Sequence, residues 1–313
     1  MNRILNLLSL CVLVCFLTSC EKEEKTTVAN YQPMMTFLKS QTNLNMYTAA
    51  LEKAGLQAYT EGPGPFTFFA PTNEAFIAAG VTTDSLNRMT SGAINYFLQY
   101  HLVNALVTTT DLIGAQFSFA RGTQIGNTGA TQIFLGNGKD SAYINGTNII
   151  SANNRVSNGV VHVIKEFQIP PVLRGNAQAL LQSTGQHTLF IAALTKAARW
   201  AGLTGTGPFT LMAPTDAAMT SDGLTQAAIN SATVGRIDSI VRYHYFSGAR
   251  YFSNDLGDRV SAQTALGVNR TLTASDNGRK IKGKSNTTPV NITRRNLLGT
   301  NAVVHIIDGV LKF

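Results

Sequence analysis

Cysteine is nearly missing from this chain, and its placement matters more than its number. The 313 residues hold three, Cys11, Cys15 and Cys20, all within the first twenty positions. Everything after residue 20 therefore lacks a disulfide, a thiolate zinc site and a cysteine nucleophile, and must hold together by packing alone. Charge is scarce too: 13% of residues are Asp, Glu, Lys or Arg, against about 25% in an average globular protein. With 44% apolar residues, the composition excludes disorder, which needs low hydrophobicity and high charge. Beyond the first twenty residues, no run is long and apolar enough to read as a membrane helix. What is present is ample core material under a neutral surface rich in Thr, Asn, Ser and Gln. The length gives a soft expectation of two domains at roughly 150 residues each.

The N-terminus reads as an address. Arg3 supplies a positive start, and Ile4 to Leu17 is mostly apolar, broken by Asn6 and Ser9. That is signal-peptide length, shorter than the ~20 residues a bilayer span requires. The run ends in Leu17-Thr18-Ser19-Cys20, which resembles the bacterial lipobox. The resemblance implies a signal peptide over 1–19, cleavage before Cys20, and a mature chain anchored to the membrane through lipid on Cys20. Stable anchoring needs more than one acyl chain. The alternative is a plain secretory peptide with a chance cysteine. A tether over 20–30 follows, opening with Glu21-Lys22-Glu23-Glu24-Lys25. It resembles the acidic export signal of surface lipoproteins in the Bacteroidetes, which implies surface display on the cell outer membrane. The plainer reading is a solvated charged spacer.

The rest of the chain repeats itself. Gly64-Pro65-Phe66-Thr67-Phe68-Phe69-Ala70-Pro71-Thr72 returns as Gly207-Pro208-Phe209-Thr210-Leu211-Met212-Ala213-Pro214-Thr215, Tyr100-His101 as Tyr243-His244, and Asn158-Gly159-Val160-Val161-His162 as Asn301-Ala302-Val303-Val304-His305. All three pairs share one offset, which is far longer than the 20–50 residue period of a solenoid. The chain is two copies of one domain, with the boundary near Pro170-Pro171.

Within a copy, Thr48 to Leu56 and Leu189 to Leu203 have helical apolar spacing. Phe66 to Ala70 is a strand-length apolar run that stops at a proline, after which Thr72/Asn73 and Thr215/Asp216 are the expected N-cap groups of the next helix. The second copy has no acidic residue after Asp216, which predicts a less well capped helix start there. Ile94, Phe97, Leu98 and His101 fall at i, i+3, i+4 and i+7, as do Ile237, Ile240, Val241 and His244, so both histidines lie on a helix's apolar face. Gly/Asn/Thr-rich segments with β-type alternation follow, marked by turn signals at Gly136-Asn137-Gly138 and Asp276-Asn277-Gly278. The apolar strands Val160 to Phe167 and Val303 to Val310 close the copies. Helices and one strand first, then a run of strands, reads as α+β.

These three boxes, in order and twice over, resemble the fasciclin domain. The resemblance covers 31–169 and 174–313. It implies two tandem fasciclin-like domains, each a β-sandwich wedge with packed helices. The role it implies is non-catalytic adhesion or binding of an extracellular protein, matrix or acidic glycan ligand. A glycan-binding accessory protein of a nutrient-uptake system is the alternative, and a hydrolase comes third.

Chemistry has few candidates. His101, His162, His244 and His305 recur with apolar neighbours, so all four read as hydrogen-bonded core residues; with Tyr100 and Tyr243 they form the structural motif. The unrepeated His187 reads as a surface residue, and Trp200 as packed within the helix Leu189–Leu203. No close cluster of His, Asp and Glu suggests a metal site, and no nucleophile elbow, phosphate-cradling loop or carboxylate pair marks an active site. The glycine-rich stretch 122–129 reads as a loop, and no cofactor is expected. Charge is the remaining signal. Residues 21–175 carry ten basic and ten acidic side chains, whereas 176–313 carry fourteen basic and seven acidic. The excess concentrates at Arg279, Lys280, Lys282 and Lys284, on an expected hairpin, and at Arg294 and Arg295 after it. That is either a site for acidic glycans or phosphates or a solvated hairpin of a basic protein. An anchored extracellular chain makes nucleic acid an unsuitable partner.

Overall fold

The computed structural model describes residues 30–112, 118–126, 131–137, 141–256, 261–267, 271–276 and 278–313. The expected signal peptide, Cys20 and the tether through residue 29 lie outside the described residues, as do Gly138, Asn277 and residues 127–129 of the glycine-rich stretch.

The first copy begins with helices Met34–Ser40, Asn45–Ala54 and Gln57–Thr60, then enters strand β1, Phe66–Pro71. Helices Asn73–Ala78, Thr83–Arg88 and Ser91–Tyr100 follow. Each starts on a threonine whose side chain accepts a backbone N–H three residues on: Thr72, Thr82 and Thr90, which satisfies a donor the helix cannot satisfy itself. The remaining strands are β2 (Leu102–Val103), β3 (Phe119–Arg121), β4 (Ile133–Asn137), β5 (Ala142–Ile144), β6 (Thr147–Val156) and β7 (Gly159–Ile164).

The strands form one sheet in the order β2-β1-β7-β6-β5-β4-β3, with β1 and β7 parallel and the other pairs antiparallel. The long β6 curls it. The register between β6 and β7 shifts on both sides of Ser151, and Asn153 takes a left-handed backbone conformation with φ +58°. Such bulges bend a strand and raise its twist. Curling gives each copy two cores. On one side, Phe68, Val161 and Val163 pack beneath the helices with Leu51, Ile94 and Leu98. On the other, Phe69 and Ile164 pack with Tyr100, Ile133, Leu135 and Ile144. This explains why β1 is apolar throughout: all six of its residues are buried. Full burial of such side chains contributes roughly 1.5–3 kcal/mol each. Thr67, on that doubly covered strand, is satisfied by the Ala105 carbonyl at 2.6 Å and the Val107 N–H at 2.8 Å.

The second copy follows the short 3₁₀ turn Pro171–Leu173 and repeats the pattern. Its strands are β8 (Phe209–Pro214), β9 (Tyr245–Ser247), β10 (Ser261–Gln263), β11 (Thr271–Ser275), β12 (Lys280–Lys282), β13 (Val290–Leu298) and β14 (Ala302–Ile307), in the order β10-β11-β12-β13-β14-β8-β9. Asn296, at the bulge of β13, repeats Asn153 with φ +59°. Both copies lie in one compact unit, Gln32–Phe313.

Four expectations need correction. The helix expected over Leu189–Leu203 ends at Lys196, where Ala198 has φ +54°. Trp200 sits beyond it, half-buried against the second core. The helix at Asp216 is not poorly capped: Thr215 accepts the Ala218 N–H at 3.2 Å, the same distance as Thr72 to Ala75. Asp216 instead caps the helix before it, accepting from Leu189 N–H at 2.8 Å, as Asn73 does from Met46 N–H at 3.0 Å. His187 is not on the surface. It is 1% exposed and donates from Nδ1 to the Pro214 carbonyl at 2.8 Å.

Candidate functional site

The two copies meet mostly through segments outside the repeated boxes. Asp255, 5% exposed, accepts the Ser118 N–H at 2.7 Å and the Ser118 hydroxyl at 2.8 Å across the junction, and the Phe252 N–H at 2.8 Å within its own copy. Burial pushes its carboxyl above the usual carboxylate range, and the hydrogen bonds from Phe252 and Ser118 oppose that. Asn296 reaches from the β13 bulge to the Gly146 carbonyl at 3.0 Å. Phe134 packs on Phe252 with ring centres 5.4 Å apart, in a cluster with Leu298 and Val303. The Arg250 guanidinium lies 5.1 Å from the centre of the Phe134 ring and donates to the Thr300 carbonyl at 2.6 Å.

Beside this junction lies a groove of about 600 Å³. The β5–β6 turn, the tail after β7 and Arg174 form one wall; Arg279 and the outer part of β13 form the other. Among the described residues, five cationic side chains line it, Lys165, Arg174, Arg279, Arg294 and Arg295, against the single carboxylate of Glu166. Glu166 accepts from the Thr147 hydroxyl at 3.1 Å. Arg174 is half-buried. Burial, and then the charge of Arg294, hold its guanidinium below the usual arginine range, with Tyr100 and Glu166 acting the other way.

The structure thus divides the expected basic cluster. Arg279, Arg294 and Arg295 face the groove. Lys280, Lys282 and Lys284 do not line it: Lys280 and Lys282 stand on the outer side of β12, with Ile281 turned into the core between them. The groove's other cations, Lys165 and Arg174, come from segments near the end of the first copy. Their only trace in the sequence is an isolated positive charge on either side of Pro170-Pro171.

The histidines serve as internal staples. His101 and His244, both fully buried, donate from Nδ1 to the carbonyls of Phe97 and Ile240, each at 2.8 Å. Their Nε2 atoms accept backbone N–H groups from Gln168 at 3.0 Å and Leu311 at 2.9 Å. Each ring therefore ties the end of a helix to the tail that follows the last strand, and must be neutral to accept there. Burial pushes both down to about 4, opposed by the backbone hydrogen bond. His162 stacks on Phe69 with ring centres 5.3 Å apart and donates to the Val107 carbonyl at 2.8 Å. His305 donates to the Tyr251 carbonyl at 2.9 Å, and burial lowers it to about 4. Tyr100 donates to the Gln132 carbonyl at 2.9 Å and accepts from Asn145 at 3.3 Å, whereas Tyr243 accepts the Lys284 N–H at 2.9 Å. Among the described residues, no group of three or more His, Cys, Asp or Glu could hold a metal ion. Nor is any helix there long and apolar enough to cross a membrane.

A tandem of curled-sheet α+β domains, joined along a polar groove, is the class that this fold defines. The Fasciclin domain pattern matches residues 42–170 and again 185–313; the chain belongs to the fasciclin-domain family. It is 27% identical over 278 residues to Transforming growth factor-beta-induced protein ig-h3 of Sus scrofa, covering 86% of this chain and 38% of that protein. It is 26% identical over 288 residues to Periostin of Homo sapiens, covering 88% of this chain and 30% of that protein. The chain spans well under half the length of either relative. Among solved structures, a domain pair from the insect cell adhesion molecule Fasciclin I aligns over 86% of this chain and 96% of that one, with a TM-score of 0.41 and 18% identity.

Proposed function

We propose that this protein is a non-catalytic adhesion or ligand-binding module of the cell surface, held on the outer membrane by lipid on Cys20. The observation that carries the binding reading is the groove shared by the two fasciclin domains, in which side chains of both copies face one space. The domains would then act as one binding unit rather than as two independent sites gaining avidity through a linker. The non-catalytic reading rests on the repeated histidines, which lie in the core and each donate a ring N–H to a backbone carbonyl, with both ring nitrogens of His101, His162 and His244 engaged by backbone groups. Membership of the fasciclin-domain family supports the adhesion reading, and the partner here would be an extracellular protein, matrix component or acidic glycan.

Attachment of whole cells to matrix-coated and glycan-coated surfaces, with and without this protein, tests the adhesion reading; unchanged attachment to every surface contradicts it. Mass spectrometry of the mature N-terminus tests the anchor, since an unmodified Cys20 removes it. Protease shaving of intact cells tests display. A second reading, a glycan-binding accessory role in nutrient uptake, is favoured by the hydroxyl and amide side chains along the groove, among them Ser141, Asn148 and Thr293. Growth on a single glycan that depends on this protein, without any change in attachment, would select it.

A further inference from the structure

We infer that the groove between the domains binds an oxyanion carried on a glycan (a carboxylate, sulfate or phosphate group) and that Arg174 and Arg294 grip it from opposite walls. The inference rests on the reading of the chain as a surface ligand-binding module and assigns that module its ligand chemistry.

The argument begins with Arg174. A guanidinium offers five N–H donors in a planar fork, and leaving such a cation partly buried without an acceptor is unfavourable. Elsewhere in this protein the half-buried arginines have acceptors. Arg199 meets Asp238 at 2.6 Å, Arg242 donates to the Ala265 carbonyl at 2.6 Å, and Arg250 donates to Thr300. The Arg174 guanidinium makes no hydrogen bond or ion pair with any described residue, and the nearby charge of Arg294 repels it. Arg294, exposed on β13, likewise has no ion partner among the described residues. Two guanidinium groups brought together without an acceptor are complementary to a shared anion, because charge-assisted, often bidentate contacts to carboxylate, sulfate or phosphate satisfy both.

Two further observations point to a glycan carrier. Lys165, Arg279 and Arg295 extend the positive field along the groove, with Glu166 the one carboxylate opposing it among the described lining residues. A lone inorganic anion would need neither that length nor a volume of about 600 Å³, which is on the scale of sites for whole small molecules, about 300–1,000 Å³. The walls between the cations carry hydroxyl and amide groups with two aromatic residues, Tyr143 and Phe167, a lining suited to sugar hydroxyls and a sugar face.

The test is binding by the detergent-solubilised full chain of four probes: a sulfated, uronate-rich heparin hexasaccharide, a phosphorylated lipopolysaccharide core oligosaccharide, neutral maltohexaose, and a DNA oligonucleotide of matched charge. The expected result is salt-sensitive binding of one or both acidic glycans in preference to the other two, and the stronger of the two names the source of the anion. Arg174→Gln and Arg294→Gln should each weaken that binding about tenfold, the equivalent of one lost charge-assisted contact. The triple change of Lys280, Lys282 and Lys284 to Gln should leave it within about twofold. Removing an unpaired buried cation should not lower the melting temperature, so Arg174→Gln separates binding from folding, and the exposed Arg294 provides a second variant should it fail to fold. Wild-type affinity in Arg294→Gln, or a loss confined to the lysine triple variant, overturns the inference. Equal binding of DNA makes the groove a general polyanion surface and overturns the glycan assignment. Binding of no acidic probe, in cells that still attach to matrix in a protein-dependent way, overturns the groove inference and leaves the adhesion reading standing.

Discussion

The carboxylate of Asp255 holds both the backbone N–H and the hydroxyl of Ser118, across the junction of two domains and 137 positions apart in the chain. It also accepts from Phe252 in its own domain, so one buried group organises both sides. Asp255→Ala leaves those donors without an acceptor and should cost about 2–4 kcal/mol, since each buried unsatisfied donor costs roughly 1–3 kcal/mol. Asp255→Asn keeps one accepting oxygen and should cost about half as much. Calorimetry should show one unfolding transition in the native protein and two in Asp255→Ala; a single unshifted transition would refute the latch.

Acid should weaken the fold before it titrates most carboxylates. His101, His244 and His305 are held at about 4 by burial, whereas unfolded histidine titrates near 6.5. Between those values the unfolded chain binds protons that the folded chain does not, so stability is full above about pH 6.5 and is lost as pH falls toward 4. Each group contributes up to about 1.4 kcal/mol per pH unit in that window, giving a loss on the order of 5 kcal/mol between pH 7.5 and pH 5. Urea unfolding at the two pH values measures it, and equal midpoints would contradict the burial of these rings.

His187 stands where the first copy has Leu44, and both are buried. Its Nε2 has no hydrogen-bond partner, and burial pushes the ring down, with Pro214 and Asp216 acting the other way. Exchange for its counterpart, His187→Leu, should leave stability at pH 7.5 within about 1 kcal/mol, because one lost hydrogen bond to Pro214 offsets one relieved unpaired nitrogen. It should also make the acid-induced loss shallower. A large destabilisation at pH 7.5 would show that the Pro214 contact dominates.

Gly207 has φ +66°, and a Cβ there would be driven into the carbonyl oxygen of Asn301. That carbonyl accepts the Phe209 N–H at 2.8 Å, while the Asn301 amide donates to the carbonyls of Leu203 and Gly205 at 2.9 and 2.7 Å. Gly207→Ala combines a left-handed backbone, costing about 1–2 kcal/mol, with a backbone clash, and should exceed about 3 kcal/mol in all. Gly235→Ala faces open space within the helix Val234–Tyr243 and should stabilise by up to about 1 kcal/mol. Thermal melts of the pair distinguish a fixed backbone approach from a general dislike of alanine.

Much of the fold was legible because it repeats and because it is periodic. The strand at Phe66 was readable as an apolar run, which covering on both faces produces, and it extends only one residue further than expected. The i, i+3, i+4, i+7 spacing before His101 and His244 placed both rings on a buried face. The same local reading failed at His187, because the ring's one hydrogen-bond partner among the described residues, the Pro214 carbonyl, is 27 residues away and leaves no periodic trace. It also failed at Trp200, where a single left-handed residue, Ala198, ends a composition that is otherwise helical throughout.

The sequence by itself determined that there are two copies of one α+β domain, where their shared strands and helix faces lie, and that no cysteine chemistry operates after residue 20. Those features reside in local spacing and in self-similarity, which need no knowledge of distant contacts. Only the tertiary structure decided how the sheets curl about Asn153 and Asn296, how Asp255 locks onto Ser118, and which cations share a space. Arg174 and Arg294 are 120 residues apart on non-equivalent segments, and only packing of the two domains brings their charges within reach of one another. The lysines that looked like their companions in the sequence point elsewhere, because alternate residues of a strand face opposite sides and β12 turns its basic side away from the groove.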